Sequence, residues 1–265
     1  MRESYYNHKT VWITGASSGI GAALARRLAG EAEVIILSSR REKELLEVKE
    51  LCNQSSNIVV VPLDLANSND IEEKTKWVLE RYQIDILINN GGVSQRSLTQ
   101  DTPIEIDRRL MEVNYFGQIH LTKLVLAQML VRKSGHIVAI SSLTGKWGFF
   151  LRSAYAASKH ALHGFFDSLR MEVEDKGIYV TLITPGFIAT EISKNAVLAD
   201  GSIHGAMDPH QATGTSPEEC AGQILKGVSR KKKEFGVGGR ELLGLFLNRY
   251  FPRLFSQILR KQSAR

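Results

Sequence analysis

The chain has 265 residues, 43% hydrophobic and 23% charged, which is enough apolar material for one large α/β domain, and we read a single domain. Its two cysteines, Cys52 and Cys220, stand far apart and without metal-ligand spacing, which argues against a disulfide framework or a zinc site and for a reducing compartment. The net charge of +6 is uneven, because from Lys226 onward eleven basic residues face only Glu234 and Glu241, leaving +9 in the C-terminal segment and −3 in the rest. No apolar stretch reaches the roughly 18 residues needed to span a bilayer, and the polar start at 1–8 lacks a signal-peptide core. The expectation is a cytoplasmic protein, at most attached to a membrane surface.

Short apolar runs at 11–13, 34–37, 58–61, 84–88, 136–140 and 179–183 alternate with helical patterns near 19–30, 41–53, 68–82, 104–131, 153–176 and 216–230. Strands rich in Val and Ile, alternating with helices, predict a parallel sheet covered on both faces. That is a doubly wound, Rossmann-like α/β fold of three layers. No internal repeat or low-complexity tract interrupts it.

Directly after the first strand comes Thr14-Gly15-Ala16-Ser17-Ser18-Gly19-Ile20-Gly21, and a helical pattern follows. Glycines there let backbone N–H groups approach a pyrophosphate at a helix N-terminus. The spacing G-x-x-x-G-x-G matches the general dinucleotide fingerprint only approximately, and an ordinary glycine-rich turn has the same composition.

Further along, Ser142 follows the fifth apolar run, thirteen residues before Tyr155, and Lys159 comes four residues after that tyrosine. Helical spacing of four puts the ammonium on the same face as the phenol. A cation there stabilises the phenolate and lowers a pKa normally near 10. Tyr155 can then give a proton to an alkoxide or take one from an alcohol, with Ser142 bonded to the same oxygen. The same spacing also suits a surface tyrosine and lysine on an amphipathic helix.

The segment 187–215 breaks the strand–helix rhythm with Gly201, Gly205, Pro209 and Gly214. It reads either as a substrate-covering lid or as a disordered surface loop. The run Arg230-Lys231-Lys232-Lys233 has only Phe235 nearby as a stacking partner, so it reads as a solvated helix end and no nucleic acid is expected. In the tail, 240–265, Leu242, Leu243, Phe246, Leu247, Tyr250, Leu254 and Ile258 recur at mostly helical spacing. Arg249, Arg253, Arg260 and Lys261 interleave with them. This predicts a basic amphipathic helix or helix pair, bent near Pro252. It is expected on an anionic membrane surface, over an active-site mouth, or buried against the body or a second subunit. The catalytic part is accordingly placed at 1–239.

Taken in order, Thr14-Gly-x-x-x-Gly-x-Gly21, Asn89-Asn90-Gly91-Gly92, Asn114, Ser142, Tyr155-x-x-x-Lys159 and Pro185-Gly186 resemble the short-chain dehydrogenase/reductase family over about residues 9–190. The runs 113–117, 136–142 and 152–160 are similar to its branch called dehydrogenase/reductase member seven. The resemblance implies an oxidoreductase acting between a carbonyl and a secondary alcohol. Tyr155 would be its general acid/base, Lys159 would lower the Tyr155 pKa and hold the nicotinamide ribose, and Ser142 would orient the substrate oxygen. Asn114 would support a relay water; a helix-interior polar side chain satisfied by backbone is the other reading of that residue. Gly15, Ser17, Ser18, Gly19, Ile20 and Gly21 would hold the phosphates, and Asp64, Leu65, Asn90 and Gly91 would flank the adenosine. Pro185, Gly186 and Thr190 would border the nicotinamide. The family usually has alanine where this chain has Gly91.

An acidic residue at the end of the second strand marks NAD-selective sites. Here that strand runs into Ser39, Arg40 and Arg41 with no carboxylate before Glu42. A guanidinium fork suits a 2′-phosphate, so the expected cofactor is NADP(H), contacted by Ser39 and Arg40 with Arg41 as a second cation. The alternative is a solvated helix start paired with Glu44. The resemblance further implies lipophilic steroid-, retinoid- or lipid-like carbonyl substrates, hence lipid metabolism, and a homodimer paired through 104–131 and 153–176. The competing class is a non-catalytic cofactor-sensing scaffold. The histidines show no triad or metal spacing, so no metal is expected.

Overall fold

The computed structural model describes residues 4–52 and 56–263. The predicted helix end at 53, the first three residues of the polar start, and the last two residues of the tail lie outside them. Seven parallel strands form one sheet in the order β3-β2-β1-β4-β5-β6-β7. They are β1 (Thr10–Thr14), β2 (Val34–Ser38), β3 (Asn57–Val60), β4 (Ile86–Asn89), β5 (Gly135–Ile140), β6 (Ile178–Pro185) and β7 (Glu234–Val237).

Side chains alternate across each strand, so every buried strand feeds two cores. Val11, Ile13, Ile35, Leu37, Ile86 and Ile88 pack on one face against α1 (Gly19–Leu28), α2 (Glu42–Glu50) and α8 (Pro217–Ser229). Trp12, Ile36, Leu87, Ile137 and Ala139 pack on the other against α3 (Ser68–Leu79), α5 (Gly117–Arg132) and α6 (Ser153–Val173). The strand order reverses between β1 and β4, which opens a crevice at the carboxyl ends of the strands, where such folds bind ligands.

Three sequence readings need correction. The six predicted strands omit β7, because Glu234-Phe235-Gly236-Val237 has no apolar run; tertiary pairing with β6, Leu182 opposite Glu234 through Pro185 opposite Val237, makes it an edge strand. The helix predicted at 104–131 is broken into α4 (Ile104–Met111), a π turn at Glu112–Phe116, and α5. The π turn is closed by an i to i+5 bond from Gly117 N–H to Glu112 O, and such a turn inserts one residue without ending the helix. The segment 187–215 is not loose: Val197 bridges Gln95, Ile188 bridges Thr215, and Ser193, Ala196 and Val197 are buried. It carries the short helix α7 (Pro209–Ala212), started by Asp208, whose carboxylate accepts from His210 N–H at 3.1 Å. Beyond β7, α9 (Leu243–Tyr250) and α10 (Pro252–Ser263) meet at Phe251, where proline ends the helical bonding.

Candidate active site

At the end of β1 the backbone of Gly15 turns with φ +64°, a conformation that favours glycine. A Cβ there would lie 2.7 Å from Gly91 Cα, and one at Gly21 would lie 2.3 Å from Gly15 O, so both positions leave room only for hydrogen. Thr14 and Asn90 lock this loop to the end of β4. Asn90 N–H and Gly91 N–H both donate to Thr14 Oγ1 at 3.0 Å, and Asn90 Nδ2 donates to Thr14 O at 3.0 Å and to Gly15 O at 3.1 Å. The loop leads into the N-terminus of α1, where N–H groups and the helix dipole favour an anion.

Thr14, Gly15, Ser17, Ser18, Gly19, Ile20, Asn90 and Gly91 line a cavity of about 460 Å³ with Ser39, Arg40, Arg41, Asp64, Leu65 and Thr190, while Gly21 packs against Gly15 and does not line it. Arg41 reaches across one end of the cavity to the glycine loop. Its Nη2 donates to Ser17 Oγ at 2.9 Å and to Ser18 Oγ at 3.0 Å, and its Nη1 lies 3.7 Å from Glu44 Oε1. Ser39 Oγ accepts from Arg41 N–H at 3.1 Å. The reading that paired Arg41 with Glu44 and the reading that placed it at the cleft both describe part of this arrangement.

A second cavity, of about 400 Å³, adjoins the first through Ile20, Asn90, Gly92, Ser94, Thr190 and Ile192, which line both. It contains Ser142, Tyr155, Lys159, Pro185 and Gly186. The start of α6 is set from outside the helix. Gln95 Oε1, fully buried, accepts from Ala154 N–H at 2.8 Å and Tyr155 N–H at 3.4 Å, capping a terminus whose own residues supply no side-chain cap. Ser142 Oγ accepts from Thr144 N–H at 3.2 Å and lies near enough to the Tyr155 phenol to lower its pKa, whereas Ser141 Oγ donates to Lys159 O at 3.2 Å. That separates the two neighbouring serines.

Lys159 is buried, and burial lowers its amine to about 8. Nζ donates to Ile140 O at 2.9 Å and stands 5.8 Å from the centre of the Tyr155 ring. Burial raises the Tyr155 phenol above its ordinary value, and the opposing pulls come from the Arg152 charge and from the Ser142 hydrogen bond. The sequence reading has Lys159 pull the phenol toward neutrality; here burial outweighs the charges and holds the phenol above its ordinary value. In this structure the Lys159 amine is directed at a carbonyl, and Arg152 is the cation that acts on the hydroxyl.

Asn114 lies behind the cleft, in the π turn and fully buried. Its Oδ1 accepts from Val93 N–H at 2.8 Å, and its Nδ2 donates to Val93 O at 2.9 Å and to Ser158 Oγ at 3.0 Å. The side chain fastens the loop after β4 to α6. A Cβ on Gly92 would lie 3.1 Å from Asn114 Oδ1 and 3.7 Å from Lys159 Nζ, so these groups meet at one point.

Several residues of the site were not singled out in the sequence. Arg152, three residues before Tyr155, lines the second cavity, and a cation so near the tyrosine was a readable signal. Glu241, from the tail, accepts through Oε1 from Phe187 N–H at 3.0 Å and Gly239 N–H at 2.9 Å, and a Cβ on Gly186 would strike that oxygen. Leu247, part of the amphipathic pattern of the tail, closes the cavity together with Trp147 and Phe255, which no local pattern announces. Among the described residues, no group of His, Cys, Asp and Glu could hold a metal ion, and no helix is long and apolar enough to cross a membrane.

The family model described as short chain dehydrogenase matches residues 9–200. Dehydrogenase/reductase SDR family member 7B of Rattus norvegicus is 42% identical over 266 residues, 97% of this chain and 82% of the rat protein. A short-chain dehydrogenase from Sphingobium yanoikuyae in complex with NADPH superposes with a TM-score of 0.76 at 28% identity, covering 86% of this chain and 87% of that one. A short chain dehydrogenase/reductase from Burkholderia phymatum in complex with NAD shares the fold, with a TM-score of 0.83 at 20% identity over 96% of each chain. The seven-stranded parallel sheet, the order of the motifs along it and these relatives agree, and the chain belongs to the short-chain dehydrogenase/reductase family of oxidoreductases.

Proposed function

We propose that the protein transfers a hydride between NADP(H) and the carbonyl or secondary-alcohol carbon of a lipophilic substrate. The observation that carries this is the meeting of Ser142, Tyr155 and Lys159 in a cavity walled by Trp147, Leu247 and Phe255, continuous with a glycine-walled cavity that has arginines at its far end. The loop from Gly15 to Gly21 fits a pyrophosphate, since side chains are excluded where the backbone must approach it. Solved neighbours hold either NADPH or NAD, so the choice of NADP rests on this chain's own Arg41, Arg40 and Ser39, without a carboxylate at the end of β2. Bound there, the nicotinamide would supply or accept the hydride.

Tyr155 gives its hydroxyl proton to the carbonyl oxygen in reduction and takes it back in oxidation. Ser142 fixes that oxygen beside the phenol. Lys159, whose amine stands 5.8 Å from the centre of the Tyr155 ring, would hold the ribose hydroxyls. Asn114 keeps the loop after β4 and α6 in register so that these groups stay aligned. The segment 187–215 covers the cleft, with Thr190 over Gly19.

The tail supports the lipophilic reading. Phe246, Tyr250, Phe251 and Leu254 are each at least half exposed on the two helices that wall the cavity and the turn between them, with Arg249, Arg253, Arg260 and Lys261 on the same two helices. This arrangement suits an anionic membrane surface from which an apolar substrate enters. Co-sedimentation with anionic and neutral vesicles checks it, and equal recovery on both would remove the membrane from the reading.

Turnover of steroid, retinoid and other lipophilic ketones with NADPH and NADH, in the wild type and in Tyr155→Phe, tests the enzyme. The expected result is NADPH-dependent reduction that Tyr155→Phe lowers about 10²–10⁴-fold. Cofactor binding without turnover of any ketone would favour the scaffold.

A further inference from the structure

Two arginines and one carboxylate meet at the border of the cavity that holds the phenol. Arg152 is 8% exposed, lines the cavity that holds Tyr155, and donates through Nη1 to Ser94 Oγ at 2.5 Å and Gln95 O at 2.8 Å. Its Nη2 lies 3.7 Å from Asp208 Oδ2. Arg96, from the loop after β4, meets the same oxygen at 3.1 Å. Asp208 starts α7, so among the described residues the one carboxylate paired with these cations comes from the segment 187–215. Its backbone is seated there as well, since Asp208 N–H donates to Ser193 Oγ at 3.1 Å and Arg96 N–H donates to Val197 O at 2.9 Å.

We propose that Arg152 and Asp208 are positioning residues that set how readily Tyr155 gives up its proton, with Asp208 linking that readiness to the seating of the 187–215 segment. This rests on the reading of Tyr155 as the general acid/base. Other charged and titratable groups face the same space. Lys159 comes from α6 itself and is directed at Ile140 O. His204 lies in the segment 187–215, with a pKa lowered by burial and then by the two arginines. Arg240 and Glu241 border the cavity from the tail, and Glu241 is held by the N–H groups of Phe187 and Gly239. The cluster of Arg152, Arg96 and Asp208 is the arrangement in which a single carboxylate decides the net charge, +1 with it and +2 without it.

Physical chemistry fixes opposite signs for the variants. Removing the Arg152 charge destabilises the phenolate and raises the Tyr155 pKa. Removing the Asp208 charge leaves both guanidinium groups uncompensated and lowers it. Arg96→Gln leaves Asp208 less neutralised and raises it, and Arg152→Lys, which keeps the charge, stays near the wild type.

The experiment is a pH profile of menthol oxidation with NADP⁺. It is paired with an ultraviolet titration of tyrosinate, each protein being read against the same protein carrying Tyr155→Phe. The titration needs no substrate. Arg152→Gln is expected to move the midpoint up by about one pH unit and Asp208→Asn to move it down by a similar amount. Should Arg152→Gln fail to fold, Arg96→Gln and Asp208→Asn, at more exposed positions, still give the pair of opposite shifts. Unmoved midpoints, or shifts of one sign in all variants, overturn the inference. Turnover persisting in Tyr155→Phe would instead overturn the reading of Tyr155 on which it rests.

Discussion

Phe255 meets Trp147 edge to face, with ring centroids 4.8 Å apart and an interplanar angle of 77°. Trp147 follows the short 3₁₀ turn that begins after Ser142, and Phe255 belongs to α10, so this contact joins the tail to the loop that carries the serine. Gly244 of α9 completes the joint, since a Cβ there would lie 3.0 Å from Trp147. The tail is a wall of the candidate substrate cavity.

Removal of that wall by Phe255→Ala deletes one of the few deeply buried side chains of the tail, 6% exposed. Burying a large aromatic contributes several kcal/mol, and part of that loss is expected as detachment of α10. The expected result is faster proteolysis after β7 and a KM for lipophilic ketones raised about tenfold, roughly 1.4 kcal/mol. Limited proteolysis and steady-state kinetics measure both.

Arg41 bonds both serines of the phosphate loop, a tie that Arg40 does not make among the described residues. The effect of Arg41→Ala on kcat/KM with NADPH is expected to be roughly 10- to 100-fold, the worth of one charge-assisted hydrogen bond of about 1.5–3 kcal/mol. Arg40→Ala should cost less, and neither should weaken NADH. Kinetics with both cofactors decide this, and a wild type that prefers NADH removes the assignment of NADP.

Lys159 couples the site to stability. Its amine falls to about 8 in the folded protein from an ordinary 10.5, so between these values the unfolded chain binds the extra proton. Stability from this group therefore rises with pH across that window, and below it the buried ammonium is a cost. Compared with Lys159→Met, which should be inactive, the wild type is expected to gain stability steadily from about pH 8 to 10.5. Urea midpoints along that series show whether the slope disappears in the variant.

Acid destabilises through two histidines. Burial lowers His136 to about 3 and His163 to about 4, from an ordinary 6.5. His136 sits between Tyr5 Oη at 3.0 Å and Thr181 Oγ1 at 2.8 Å. The unfolded chain binds more protons just below pH 6.5, so stability is lost as pH falls through 6.5 toward those values. His136→Asn is expected to flatten part of that loss and the double variant with His163→Asn most of it, read from urea midpoints against pH.

The legible parts of the chain were those governed by local spacing. Six of the strands, the glycine loop and the positions of Ser142, Tyr155 and Lys159 follow from runs of Val and Ile, from turn chemistry and from helical period. β7 escaped notice because an edge strand of four residues gets its identity from pairing with β6. The π turn escaped because inserting one residue changes the bonding register and leaves the apolar pattern of 104–131 intact. Arg152 was visible beside Tyr155, but its partner Asp208 lies 56 positions further along and only folding brings them within 3.7 Å.

The amino-acid order alone determined the doubly wound architecture, because periodicity and backbone chemistry act over a few residues, and its ordered motifs carried the resemblance to the family. Which serine turns to the phenol, which cation acts on it, and what closes the cavity were decided only in three dimensions. Burial and charge depend on distance through space, and the tail, the 187–215 segment and the start of α6 come together there from separate stretches of chain.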